Sequence, residues 1–557
     1  MNQSRNSFLG ILFAIILVSV FSCNEISGNR QKEEVKKTPI LEHIVDNLKN
    51  NIHQSLENNG QLDSVHLKYI SFLDSLYDAH HYEPFWSHDQ QWLPLGDSLF
   101  QFIEHSKDYG LFPSDYHYNS LAFVHRIFLA DTIARKNLAL WAKADLLMTD
   151  AFFCLTKDMK QGRIPYDSVT LRTDSLMPKK SYYALFNKVQ DSGSLVTVLR
   201  SLEPKYRGYD SIKAYLKNFL AKANFTPYTY LVYPYSDSVS FFKLVEQRLH
   251  ELGVLAPAQT NLDTLALRDV FRKYQKAQSL KVTGRLSDQM VDNLNNTDWE
   301  KFKKIAVNLD RYKQLPDTLP RTRAWINLPS YYLQVFDNDT LAFQSRIIVG
   351  GPQTRTPLLS SEISNFITYP QWTVPFSIIM KEMLPEIKKN VNYLNKQNLI
   401  VVDENDSVRD PTTIKWSKLN RDYFPYHLKQ REGDDNSLGI IKFNFRNKYS
   451  VYMHDTNVRW KFNNPFRAIS HGCVRVKEWN KLANFLIRKD TIHHQADTLK
   501  AWFARQEKHM MSGFPKLPLY IRYFTCEGKD GRIKFYDDIY EEDRYLREKY
   551  FADKAVQ

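Results

Sequence analysis

The stretch "AISHGCVRV", Ala468 to Val476, places a cysteine directly after a glycine and two residues after a histidine. A cysteine acts as a nucleophile when three things meet: a thiol that can give up its proton, a base that takes it, and donors for the oxyanion on the attacked carbonyl. Each has a candidate here. His454 closes the strand pattern "KYSVYMHD" upstream of Cys473, and a strand ending beside a returning loop brings such a pair together. Gly472 permits backbone angles that aim successive N–H groups at one point. The amides of Gly472 and Cys473 are therefore the candidate oxyanion hole, with Ser470 and His471 packed just ahead of the thiol. Arg475 carries the planar fork that holds a carboxylate through two parallel bonds.

The elements that must position these groups are strands. From about Arg321, "RAWINLPSYYLQVF" and "TLAFQSRIIVGG" show alternating β-branched and aromatic residues on either side of the turn cluster "DND". "IKFNFRNKYSVYMHDT" supplies two more strands around Arg446-Asn447-Lys448, and "LPLYIRYFTCE" with "GRIKFYDDIY" reads as a late hairpin over Gly528-Lys529-Asp530. "IIMKEMLPEIKKNVNYLNKQ" interrupts this pattern as a helical insertion, and the polar stretch to Gln430 extends it. A long insertion beside a reactive centre is a candidate lid, over about residues 378–430.

Upstream the periodicity changes. Residues 40–237 read mainly as helices, with apolar residues three and four apart in "ILEHIVDNLKNNIHQSL" and "SLAFVHRIFLA". His80 and His81 are adjacent and cannot readily share one face, so no metal is expected. Residues 238–296 form a smaller helical unit. Leu244, Leu249 and Leu252 are its first expected face, stopped by Gly253. Leu265, Val270, Phe271 and Tyr274 are the second, and Gly284 turns the chain into a last helix capped by Ser287.

The chain has four cysteines. Cys154, in "LLMTDAFFCLTKDM", and Cys526, in "LPLYIRYFTCEG", lie in apolar patterns and read as core. Arg5 is followed by "NSFLGILFAIILVSVFSC", an uncharged run too short to span a bilayer, which reads as a secretory signal over residues 1–22. The polar "NEISGNRQKEEVKKTP" behind it reads as a tether to about residue 39. Net charge is +13, but basic and acidic residues are interleaved, so no nucleic-acid footprint is expected. Hydrophobic content of 43% fits soluble domains with sizeable cores, and a length of 557 residues implies several of them.

"YMHDT" followed by "SHGCVRV" resembles the catalytic signature of the L,D-transpeptidase (YkuD-domain) family. "VNLDRYKQLP", "IIVGGPQTRTPLLSSEI", "YPQWTVPFSI" and "NSLGIIKFNFRNKYSVYMHDT" are similar to successive stretches of its large multidomain branch, and "YDAHHYEPFW" and "DYGLFPSDYHY" resemble that branch's N-terminal scaffold. The unit at 238–296 resembles the three-helix peptidoglycan-binding domain, and the ending Val20-Phe21-Ser22-Cys23 resembles a lipobox, with Cys23 the lipidated residue. The resemblance implies a multidomain α+β protein: a helical scaffold domain, a small three-helix peptidoglycan-binding domain, and a β-rich catalytic domain over 320–545 with a helical lid insertion. It implies Cys473 as nucleophile and His454 as general base and acid, with a backbone carbonyl rather than Asp455 orienting the imidazole. Backbone groups of His471, Gly472 and Cys473 would form the oxyanion hole, and Arg475, Ser470, Tyr452 and Trp372 would meet substrate. No cofactor or metal is implied. The implied partners are peptidoglycan stem peptides and glycan, outer-membrane lipoprotein acceptors, and a membrane reached through the lipid anchor; no nucleic acid is implied. The implied reaction is a cross-link between diaminopimelate residues through a cysteine thioester, open to carbapenem inhibition. Hydrolysis of stem peptides, as a carboxypeptidase or endopeptidase, and non-catalytic wall anchoring are the alternatives. The implied location is a periplasm-facing lipoprotein of the outer membrane.

Overall fold

The computed structural model describes residues 39–165, 178–489 and 496–552. Cys23, the signal and the tether lie outside the described residues. The N-terminal part is helical, as the periodicity requires. Its spine is the helix Leu138–Gln161, buried along most of its length and packed against the helix Pro39–Glu57. Polar residues inside that spine tie down loops. Asp145 accepts from the amides of Phe85 (3.1 Å) and Trp86 (2.9 Å), and Asp150 accepts from the Tyr69 amide at 2.7 Å. Two short hairpins, β1 (Gln61–Leu62) with β2 (Val65–His66) and β3 (Ser87–His88) with β4 (Gln91–Trp92), join the helices. Cys154 lies in this core.

Three helices follow, Ser238–Glu251, Thr264–Ala277 and Asp288–Leu294. They close over their own core of Phe241, Val245, Leu249, Leu267, Phe271, Tyr274, Met290, Val291 and Leu294. The Ser287 side chain caps the last helix by accepting from the Met290 amide. The first face differs from the expected one. Leu244 and Leu252 are exposed, because the helix turns Phe241, Val245 and Leu249 inward at four-residue spacing. Leu265 is likewise exposed, with Leu267 in its place.

The helix Asp298–Lys313 then joins the helical part to the β-rich domain. There β5 (Arg323–Asn327), β6 (Tyr332–Asp337) and β7 (Thr340–Gly350) form a meander, with Asn338 and Asp339 in the left-handed turn between β6 and β7. β8 (Leu359–Thr368) precedes the insertion. The insertion has its own core, including Ile379, Leu384, Ile387, Val401, Trp416 and Leu428. It contains the expected helices, such as Leu384–Lys389, and also a four-stranded sheet absent from the sequence reading. That sheet is β9 (Trp372–Thr373), β10 (Leu399–Val402), β11 (Val408–Arg409) and β12 (His427–Gln430), in the order β11-β10-β12-β9. The insertion thus begins at Trp372 rather than at residue 378.

The chain returns through β13 (Ile441–Phe445), β14 (Met453–His454), β15 (Ala468–Ser470), β16 (Val474–Val476), β17 (Met510–Met511) and β18 (Leu517–Arg522). The main sheet runs β13-β14-β16-β7-β6-β5-β18-β8, and pairing of β8 with β13 closes it into a barrel. Closure satisfies edges that would otherwise be open. The late hairpin differs from the expected one. "LPLYIR" stays in the barrel between β5 and β8, and the chain bends at Tyr523–Thr525. β19 (Cys526–Lys529) then pairs with β20 (Arg532–Phe535) over Asp530-Gly531. Cys526 is fully buried in that hairpin.

Candidate active site

Barrel closure decides which side chains meet. β14 pairs with β16 in parallel, setting His454 opposite Arg475, and β14 pairs with β13 in antiparallel, setting His454 opposite Lys442. Lys442, His454 and Arg475 therefore form one row across three strands. Alternation puts Tyr452 and His454 on one face of their segment, and Cys473 and Arg475 on the same face of theirs. The Tyr452 ring lies 5.6 Å from the His454 ring, and the Lys442 Nζ stands 4.1 Å from the Tyr452 ring centroid. Cys473 lies against Tyr452, and the Tyr452 hydroxyl also meets Trp372 from the insertion.

The loop carrying Cys473 doubles back along β7. β15 runs parallel to β7 at Val349 and Gly350, and β16 runs antiparallel to it at Ile347 and Ile348. Reversal within so few residues requires the left-handed region, and Gly472 sits there at φ +115°. The Ser470 hydroxyl donates to the Cys473 carbonyl at 2.6 Å and accepts from the Gly472 amide at 3.2 Å. The segment after β7 clamps the same loop. The Thr354 hydroxyl donates to the Ser470 carbonyl and the Thr356 hydroxyl to the Gly472 carbonyl, both at 2.8 Å. The Tyr540 hydroxyl donates to the Gly350 carbonyl at 2.8 Å, anchoring that segment from the C-terminal side. A Cβ on Gly350 would lie 2.1 Å from the Thr354 carbonyl oxygen, so this close approach needs glycine.

These bonds revise two expectations. The Ser470 hydroxyl is engaged inside the loop, which makes it a shaping group rather than one free for substrate. The Gly472 amide points at Ser470, not at an oxyanion position. The amides of His471 and Cys473 have no acceptor among the described residues. Asp455 is fully buried and makes no hydrogen bond to His454; it accepts from Arg459 Nε at 3.1 Å and from the Ile440 amide at 3.3 Å. The imidazole is approached instead by the backbone carbonyls of Asp455 and Leu438, while its buried Nδ1 makes no hydrogen bond. The exposed His471 side chain meets Glu382 of the insertion at 2.6 Å.

Burial dominates the electrostatics. It holds His454 down to about 3, and the charges of Arg475 and Lys442 push the same way, against the two carbonyls. Burial pushes the Cys473 thiol up, opposed by Tyr452, Lys442 and Arg475. Both shifts favour the neutral forms of thiol and imidazole, and among the described residues no hydrogen bond joins the two side chains. Cys473 is half-buried, whereas Cys154 and Cys526 are buried. Sequence reasoning missed Lys442, Glu382, Thr354, Thr356 and Tyr540. The quoted "GGPQTRTP" carried a signal for the threonines, while Lys442 had none short of strand register.

Residues 321–493 match the YkuD family, the L,D-transpeptidase catalytic domain, and residues 71–216 match a scaffold domain. A curated protein of Haemophilus influenzae, described provisionally as an L,D-transpeptidase, is 33% identical over 252 residues, covering 44% of this chain. The chain spans about half the length of that relative, 49%. Solved structures include a cysteine-to-serine variant of Enterococcus faecium L,D-transpeptidase, at 11% identity and a TM-score of 0.17, covering 48% of this chain and 86% of that one. The avibactam carbamoyl enzyme of Ldtfm is also at 11% identity, with a TM-score of 0.18 and coverage of 56% and 96%. At such scores the likeness carries no argument. The two matched segments fall in the helical part and in the barrel that holds Cys473 and His454, and the chain therefore carries one segment similar to a scaffold domain and one similar to the L,D-transpeptidase catalytic domain, YkuD.

Proposed function

We propose that this protein is a cell-wall L,D-transpeptidase that works through a Cys473 thioester. The observation that carries the reading is the packing of a half-buried thiol against Tyr452, whose ring lies 5.6 Å from that of His454, under a loop with two unengaged amides. Because thiol and imidazole are both favoured in their neutral forms, proton transfer to His454 accompanies attack. Cys473 Sγ bonds to the carbonyl carbon at the L-centre of diaminopimelate in a donor tetrapeptide stem. The oxyanion lies at the His471 and Cys473 amides. Collapse breaks the peptide bond, and D-Ala leaves with the proton held by His454. An acceptor amine then attacks the thioester, His454 takes its proton, and the thiol is restored. Thiol, base and amide donors suffice for this acyl transfer.

The reading extends to the envelope. A lipidated Cys23 would hold the chain at the outer membrane facing the periplasm, and residues 238–296 would bind peptidoglycan glycan. Outer-membrane lipoproteins are a second acceptor class. Incubation of the purified protein with disaccharide-tetrapeptide, read by mass spectrometry, tests the reaction. The expected product is a dimer joined through two diaminopimelate residues. Tripeptide as the sole product would assign hydrolysis instead, and an unchanged substrate would assign anchoring.

A further inference from the structure

Two cations stand at this site without a carboxylate to answer them; the group whose charge would meet both is the Cys473 thiolate. Lys442 and Arg475 flank His454 on the face that carries Cys473. Neither has a carboxylate partner among the described residues, and the buried Arg475 Nε makes no hydrogen bond. Two carboxylates of the surrounding segments are engaged elsewhere, Asp455 with Arg459 and Glu382 with His471. Both cations are only partly exposed. Burying positive charge without a partner is costly, and such a cost persists where a ligand supplies the missing charge. Lys442 is also held over the Tyr452 ring, a contact that fixes its ammonium beside the thiol.

We propose that Lys442 and Arg475 form a carboxylate clamp that reads the free C-terminal carboxylate of the donor's leaving residue. The assignment rests on the transpeptidase reading above and names what the site selects. By covalent geometry, the carboxylate oxygens of a leaving amino acid lie within about 5 Å of the attacked carbon. An anion site in the row next to Cys473 therefore falls where that carboxylate must be. The consequence is specificity for exchange at a chain end. Stems extended by another residue, or capped as an amide, carry no charge at that place. Burial holds both cations below their ordinary values, so a paired carboxylate also stabilises their charged forms.

The test compares the tetrapeptide donor with the same stem ending in D-alaninamide, using the full chain. The expected wild-type preference in kcat/KM for the acid is at least about tenfold. Lys442→Met should reduce that preference to below about twofold, and Lys442→Arg should restore most of it. An undiminished preference in Lys442→Met overturns the clamp, and so does equal use of acid and amide by the wild type. A second measurement does not depend on peptide turnover. The ratio of Cys473 alkylation by iodoacetate to that by iodoacetamide should exceed the ratio for a free cysteine peptide by about tenfold. It should fall toward the free value in Lys442→Met of unchanged unfolding temperature. If no stem is turned over while the iodoacetate preference stands, the transpeptidase reading fails and the anion site survives. If stems react but neither preference appears, the clamp fails and the reaction survives.

Discussion

Glu382 of the insertion meets His471, two residues before Cys473, at 2.6 Å. The contact ties the insertion to the reactive loop, and Trp372 touches Tyr452 from the same side. Both partners of the pair are about half exposed, at 46% and 52%, so water screens the attraction. A pair worth at most ~1 kcal/mol shifts an open–closed ratio by up to about fivefold. Glu382→Ala should therefore raise the rate at which a bulky maleimide alkylates Cys473 by a few-fold, with little change in unfolding temperature. In the wild type, high salt should raise the same rate. Identical rates for variant and wild type would mean that the insertion does not close over the thiol.

The depressed His454 gives a pH prediction with a definite sign. Its folded value is about 3 against an ordinary histidine value of 6.5. Between these the unfolded chain binds the extra proton and the folded one does not. The stability difference is absent above the ordinary value and grows as pH falls from about 6.5 toward 3. His454→Gln should lose less stability than the wild type on acidification through that window, as read by urea unfolding. Nuclear magnetic resonance should find no titration of the His454 ring near neutral pH. Titration near 6.5 would contradict the buried, cation-flanked placement.

Gly472 should tolerate no side chain, for a backbone reason. A Cβ there meets the Arg355 carbonyl at 3.5 Å and the Thr354 carbonyl at 3.7 Å, which is ordinary contact. The obstacle is φ +115°, which L-residues rarely adopt. Gly472→Ala should cost on the order of 1–3 kcal/mol of stability. It should also lower kcat by about a hundredfold, because the loop that aims the Cys473 amide would move. Steady-state kinetics and thermal unfolding read both, and an alanine variant with normal kcat would contradict the loop geometry.

A carbapenem should acylate one described cysteine. Cys154 and Cys526 are buried in the helical core and in the late hairpin, and burial pushes both thiols up. Peptide mapping after meropenem treatment should find the adduct on the peptide carrying Cys473. An adduct on either of the other two would mean that the wrong thiol has been assigned.

Much of the site was legible because it is local. Cys473, Gly472 and Arg475 lie in one short stretch, and His454 ends a strand whose alternation is plain. What escaped depends on register. Lys442 joins the row because β13 pairs with β14 at His454, and no periodicity within "IKFNF" announces that partner. The insertion's sheet escaped because β9 and β11 are two residues long and β12 lies in the polar run "HLKQ". The exposed Leu244 and Leu252 show a third cause. Leucines at helical spacing fit more than one face, and Phe241 and Val245 decided which face turned inward. The late hairpin was misplaced because "LPLYIRYFTCE" reads as one strand, while Asn308 captures the Thr525 amide at 2.8 Å and pulls the chain out of the barrel.

The central claim is that Cys473 carries the acyl group. Its most direct test is the intact mass of the protein quenched in acid during turnover of the tetrapeptide donor. The account predicts a mass gain equal to the donor minus D-Ala, mapping to the peptide that contains Cys473, and absent from a folded Cys473→Ala variant that forms no cross-link. Cross-linked product from the alanine variant, or an acyl group on any other residue, would contradict it.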